Sequence, residues 1–107
     1  MVLSHDKKKL GLLLSTPPQH PNLETVIRLT ETALAANCQV YLYLIDQGAL
    51  AMDHPRFNTL TEQGLKLFVC AYGAEHHHVS LSGKATPCGL VVLSDLVKGC
   101  DQFISFN

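Results

Sequence analysis

Leu10-Gly11-Leu12-Leu13-Leu14 carries no polar side chain at any position. A strand with one wet face alternates apolar and polar residues. A strand covered on both faces does not, and that is the condition of a parallel sheet sandwiched by helices. Non-alternating runs return in Val40-Tyr41-Leu42-Tyr43-Leu44-Ile45 and, interrupted only by Lys66, in Leu65-Lys66-Leu67-Phe68-Val69-Cys70. Between the runs lie stretches with helical spacing. Strands alternating with helices predict an α/β fold: a three-layer α/β/α domain with a mostly parallel sheet of about five strands, flavodoxin- or Rossmann-like in architecture.

The intervening segments carry their own punctuation. Thr16-Pro17-Pro18-Gln19-His20-Pro21 is a loop, because paired prolines end a strand and cannot enter a helix interior. Asn22 is a suitable N-cap, with Glu24 in the first turn. Leu23, Val26, Ile27, Ala33 and Leu34 then recur at helical period, with Thr30 on the same face and Asn37 as the stop. Asp46-Gln47-Gly48 turns the chain after the second strand. Asp53-His54-Pro55 opens a second helix, which runs to about Gln63 and stops at Gly64. Tyr72–His78 is a short helix, and Val79–Ser82 a candidate edge strand. Thr86-Pro87 has the form of a cap followed by proline at the first helical position, so a helix is predicted from Pro87 to about Lys98. Asp101–Phe106 is the last strand.

At 107 residues the chain has room for one domain, spanning 1–107. Its apolar share of 47% supplies a core. A formal charge of −1 and the lack of a basic stripe argue against direct nucleic-acid binding. Lys7–Lys9, the one charge run, suits a solvated strand entry. No segment reaches the ~18 consecutive apolar residues of a membrane span. The N-terminal residues lack an apolar signal core, and the four cysteines form no paired CxxC motif. Free thiols and a cytoplasmic location are therefore expected.

Right-handed crossovers collect the strand-to-helix turns on the carboxyl edge of the sheet, where open α/β sheets bind ligands. This sorts the cysteines. Cys38 and Cys100 precede strands and suit small buried hydrophobes. Cys70 ends a strand where a helix begins, and Cys88 is expected in the first turn of the last helix. A helix N-terminus favours a thiolate, the nucleophile of disulfide and persulfide exchange. Sharing one edge, Cys70 and Cys88 would allow one to resolve or relay for the other. A Cα separation well beyond ~7 Å would exclude a direct disulfide. Each has a plainer alternative as a packed side chain.

His76-His77-His78 invites a metal reading, but consecutive helical residues point about 100° apart and cannot grip one ion. The i,i+4 spacing of helical metal pairs is absent, so no metal site is expected. Imidazoles at a helix C-terminus are the simpler account. His76 or His77 would otherwise turn back toward Cys70. Thr16, His20, Asp46, Gln47, Tyr72, His76, His77 and Cys88 are the candidates to line a site around Cys70, with His54 on the same edge. There is no GxGxxG after the first strand, no Walker A motif and no GxSxG elbow.

With these motifs in order, the chain resembles the DsrE/DsrF/TusD-like family of small sulfur-relay proteins. The carrying residues are Leu10–Leu14 before a loop and long helix, Val40–Ile45 into Asp46-Gln47-Gly48, Gly64–Ala71, and Cys100–Phe106. The resemblance implies a five-stranded parallel domain that assembles as a dimer, trimer or hexamer, or with related subunits. It implies a persulfide held on Cys70, taken from a persulfide donor and passed to a sulfur-acceptor protein in tRNA thiolation or sulfur oxidation. No cofactor is required. Some relatives carry a second cysteine just after the first, where Tyr72-Gly73 stands here. Other relatives lack the cysteine and serve as structural subunits. The alternatives are therefore a non-catalytic adaptor of such an oligomer, or a small-ligand or metal-binding module on the carboxyl edge.

Overall fold

In the computed structural model, which describes residues 7–80 and 85–107, the apolar runs are parallel strands. They are β1 (Lys9–Leu14), β2 (Gln39–Leu44), β3 (Lys66–Cys70), β4 (Thr86–Cys88) and β5 (Gln102–Phe106). Their order across the sheet is β4-β3-β2-β1-β5, and every pairing is parallel. The helices are α1 (Asn22–Ala35), α2 (Pro55–Glu62), α3 (Ala71–His76) and α4 (Leu90–Gly99), with a 3-10 helix over Asp46–Ala51.

Alternation along each strand divides the core in two. Leu12, Leu14, Val40, Leu42, Leu44, Leu67 and Val69 face one side. There they pack against Val26 and Ile27 of α1, Phe57 and Leu60 of α2 and Ala74 of α3. Tyr41, Tyr43, Phe68, Cys70, Cys88 and Phe103 face the other side and pack beneath Val92, Leu93 and Leu96 of α4. Three helices thus cover one face and a single helix the other. This is the three-layer α/β/α arrangement expected from non-alternating strands.

The helix ends show which local signals acted. Pro21, not Asn22, occupies the cap position of α1. Asn22 is the first helical residue, and its backbone N–H donates to His20 Nδ1 at 3.1 Å. Asn37 stops the helix in the left-handed region with φ 67°. His54 caps α2 and accepts from the Arg56 N–H, with Pro55 at the first position as expected. Gly64 takes φ 114° after that helix. Arg56 also bridges α2 to α1 through Glu24 and Glu31 at 3.0 Å each.

Two expectations are corrected. Thr86-Pro87-Cys88 is not the start of a helix but the edge strand β4, and α4 begins only at Leu90 with Gly89 as its cap. A three-residue strand has no measurable period, and proline is tolerated on an edge strand because its missing N–H need not serve a second neighbour. Tyr72–His78 is also too long, since α3 is the six residues Ala71–His76. Val79 and Ser80 are irregular. The rest of the candidate edge strand, at residues 81–82, lies outside the described residues.

Candidate functional site

The site follows from the parity of β3. Val69 is fully buried on the three-helix face, so Cys70, one residue on, turns to the α4 face at the carboxyl end of the strand. It caps α3 and is only 6% exposed. Its exposed fraction meets a cleft of about 380 Å³ lined by Ile45, Asp46, Cys70, Tyr72, Gly73, His76, Gly89 and Leu90. Three strand ends therefore contribute, from β2, β3 and β4. A second cleft of similar volume sits beside Thr61, Leu65, Lys66 and Thr86, and no cysteine lines it.

Two features set the wall opposite Cys70. Asp46 adopts φ 53° directly after Ile45, which turns the backbone over the strand end. Gly73 then allows α3 to approach, since a Cβ there would lie 3.2 Å from the Asp46 nitrogen. His77 Nε2 stands 3.4 Å from Asp46 Oδ1 and ties the end of α3 to the same turn. His76 stacks on Tyr72, with ring centroids 5.9 Å apart and planes at 14°, and meets His77 edge-on at 5.0 Å. The His76 ring is thus held against Tyr72 and His77. Tyr72 is 74% exposed and forms the rim of the cleft.

Of the residues proposed from sequence, Cys70, Asp46, Tyr72 and His76 come together, and His77 joins through Asp46. Thr16, His20 and Gln47 are not brought to this cleft. His20 is exposed in the β1–α1 loop, where its ring accepts the Asn22 N–H. His54 is committed to capping α2. Among the described residues no group of three or more His, Cys, Asp or Glu side chains converges to hold a metal ion.

Cys88 is corrected in place. It ends a strand rather than beginning a helix, and it is the register partner of Cys70. Burial pushes the Cys88 thiol up. A hydrogen bond with Tyr43 acts in the opposite direction, and the nearby Cys70 adds to the rise. The helix-start argument for an acidic thiol therefore does not apply to Cys88. Cys38 packs against the main core and Cys100 into the α4-side cluster, both half-buried, and burial raises Cys100 as well.

Tyr43 is the residue that sequence reasoning passed over. Its side chain is fully buried, yet its hydroxyl donates toward the carbonyl oxygens of Gly89 at 3.0 Å and Cys88 at 3.4 Å. Burial raises its phenol first, and both thiols raise it further. A signal was present in Tyr41-Leu42-Tyr43-Leu44, where the tyrosines share one parity and the leucines the other. Tyr43 has the parity of Cys70 once β2 and β3 are paired, because Tyr43 aligns with Phe68, two residues before the cysteine.

The DsrE/DsrF-like family model matches residues 8–106. The ychN protein from E. coli superposes with a TM-score of 0.76 at 16% identity, covering 94% of this chain and 99% of that one. A conserved protein of unknown function from Bacteroides thetaiotaomicron, BT1422, superposes with a TM-score of 0.76 at 14% identity over 92% of this chain and 95% of its own. At such identities these two structures establish the shared fold alone. No curated protein matches the sequence.

Proposed function

The chain belongs to the DsrE/DsrF-like family, and from that premise we propose that it is a sulfur-relay protein that carries sulfane sulfur as a Cys70 persulfide. The observation that carries this reading is the cleft at Cys70. A cysteine with only a packing role needs no opening, whereas this thiol forms part of the wall of a space of about 380 Å³.

The chemistry asks little of the protein. The Cys70 thiolate attacks the outer sulfur of a donor persulfide R–S–SH. The new bond is Cys70 Sγ–S, the donor S–S bond breaks, and R–S⁻ leaves and is protonated. An acceptor thiolate then takes the same outer sulfur, and Cys70 departs as thiolate. Each step is an exchange of equal bonds, so no external oxidant, reductant or cofactor enters. The apolar Ile45 and Leu90 flank the thiol, and Asp46, Tyr72 and His76 provide the polar rim. A small opening suits a terminal persulfide presented by a partner's flexible segment. Leu90 and Val91 stand 61% and 76% exposed on α4, an apolar surface that supports assembly with further copies or related subunits, or engagement of the sulfur donor and acceptor.

The reading is tested by brief incubation with a persulfide donor and immediate peptide mass spectrometry. The expected result is one added sulfur atom on the Cys70 peptide, absent in Cys70→Ser. No added sulfur, or equal transfer to the Cys70→Ser variant, refutes it and leaves the non-catalytic adaptor.

A further inference from the structure

β3 and β4 end side by side, and each ends in a cysteine. Cys70 and Cys88 are register partners in a parallel pair. Neighbouring strands lie about 4.8 Å apart. That spacing falls within the range of Cα separations, roughly 4.4–6.8 Å, that a disulfide spans. Register partners also point to the same face of a sheet, and both cysteines pack into the cluster beneath α4. The Cys88 thiol is turned toward β3, donating weakly to the Val69 carbonyl oxygen at 3.9 Å. Tyr43 packs in the same cluster as both cysteines, and its hydroxyl donates to the Cys88 and Gly89 carbonyl oxygens at the end of β4. The other two cysteines are remote in the topology, since Cys38 precedes β2 and Cys100 precedes β5 at the opposite edge of the sheet.

The two thiols differ in access. Cys70 lines the cleft, whereas Cys88 is not among the residues lining it. A donor that enters the cleft meets Cys70, which is only 6% exposed but forms part of its wall, while the half-buried Cys88 lies outside that cleft. A persulfide formed on Cys70 has its register partner Cys88 on the neighbouring strand. Resting on the reading of Cys70 as a persulfide carrier, we propose that Cys88 is a resolving thiol that discharges an unclaimed Cys70 persulfide as hydrosulfide.

The step balances within the protein. The Cys88 thiolate attacks Cys70 Sγ, a Cys88–Cys70 disulfide bond forms, and the Cys70 Sγ–S bond breaks. The outer sulfur leaves as HS⁻ and is protonated by solvent. Two electrons pass to the sulfane sulfur, and the two cysteine sulfurs are each oxidised by one. The protein returns to its starting state when a dithiol or low-molecular-weight thiol reduces the disulfide. Resolution and delivery compete: an acceptor thiolate attacks the outer sulfur through the cleft, and Cys88 attacks the inner sulfur from the sheet side. The pair thus supplies a second outcome, reduction of sulfane sulfur to sulfide, whenever no acceptor is docked.

The test loads the reduced full-length protein with inorganic polysulfide, removes the excess by gel filtration, and follows the thiols by peptide mass spectrometry and the solution by a sulfide assay. In the wild type, the added sulfur on Cys70 should disappear as hydrosulfide and a Cys70–Cys88 cross-linked peptide appear in equal amounts. In Cys88→Ser and Cys88→Ala, each checked for native circular dichroism, the Cys70 persulfide should last at least about tenfold longer and release no sulfide. Cys38→Ser and Cys100→Ser should behave as wild type. A wild-type persulfide as durable as that of Cys88→Ser overturns the proposal while the carrier reading stands. Added sulfur that moves to Cys88 without sulfide release overturns it in favour of a relay. If Cys70 gains no sulfur at all, the carrier reading fails and this proposal fails with it.

Discussion

Tyr43→Phe isolates one hydroxyl at the junction of β2, β4 and the two thiols. The ring is fully buried and would stay packed, so the substitution removes a donor and little else. The hydroxyl serves the Gly89 oxygen at 3.0 Å and the Cys88 oxygen at 3.4 Å, holding the end of β4 and the cap of α4 against the sheet. A buried hydrogen bond contributes about 0.5–1.5 kcal/mol net, and more when its partner is left dry. Gly89 is exposed and can turn to water, while Cys88 is half-buried. The expected loss is therefore about 1–1.5 kcal/mol, with a melting temperature lower by about 5–10 °C in a domain of this size. A second readout follows from the thiol. The Tyr43 hydrogen bond lowers Cys88 against the upward push of burial. Without it the thiol rises further, so the pH profile of Cys88 alkylation should move to higher pH, and the rate at a fixed neutral pH should fall. Chemical denaturation gives the first quantity and peptide-resolved iodoacetamide kinetics the second. Unchanged stability together with an unmoved or downward-shifted Cys88 profile would refute the role given to this hydroxyl.

Two further substitution and pH experiments probe the frame around the site. A Cβ on Gly48 would fall on the Leu14 carbonyl oxygen, which also accepts the Ile45 N–H at 3.0 Å. Backbone cannot yield as a side chain does, so Gly48→Ala should cost about 3 kcal/mol or more in urea unfolding. Gly89→Ala, with nothing within 4 Å of its added carbon, should stay within about 0.5 kcal/mol; equal effects at the two glycines would contradict the packing. Cys88, Cys100 and Tyr43 are all raised, mainly by burial, so the folded state keeps protons that the unfolded chain releases. Their contribution is complete below the ordinary thiol range near pH ~8.5 and is lost as pH rises from there through the folded values. Thermal melts should hold level from about pH 6 to 8 and fall above about pH 9, with a shallower fall in Cys100→Ala; a melting temperature that climbs in that window would reverse the sign.

The legible parts of this chain are those where one local signal met no competitor. Non-alternating runs declared a parallel sheet, and Asn37, His54-Pro55 and Gly64 marked helix ends through backbone geometry that few other residues supply. Cys70 was placed at the carboxyl edge by the same reasoning. Thr86-Pro87 failed because its local chemistry suits two structures. As a dipeptide it resembles a cap and a first helical residue. Only the presence of β3 alongside makes it an edge strand, and that neighbour is set by tertiary pairing rather than by the dipeptide. Thr16, His20 and Gln47 were grouped with the site because they share an edge with it. An edge is longer than a cleft, however: the β1 loop that carries Thr16 and His20 is two strands from β3, and Gln47, next to Asp46, is not among the residues lining the cleft.

The error over Cys88 changes the chemistry available to the candidate site. In the first turn of a helix, Cys88 would have owed any reactivity to the helix terminus. As the last residue of β4 it owes its position to the sheet, which sets its spacing from Cys70 and turns both side chains to one face. Such a pair needs no dedicated loop, only two neighbouring strands whose last residues share register and parity. The β3 run of alternating faces, Leu67 and Val69 inward and Phe68 and Cys70 toward α4, leaves the strand's last residue beneath the sparsely covered side. A one-residue slip of β3 would bury Cys70 under α3 and the main core and separate it from Cys88 and Tyr43 alike. The hydrophobic pattern that pins the register of β3 therefore also places the thiol, so the packing of Leu67 and Val69 and the position of Cys70 are one constraint.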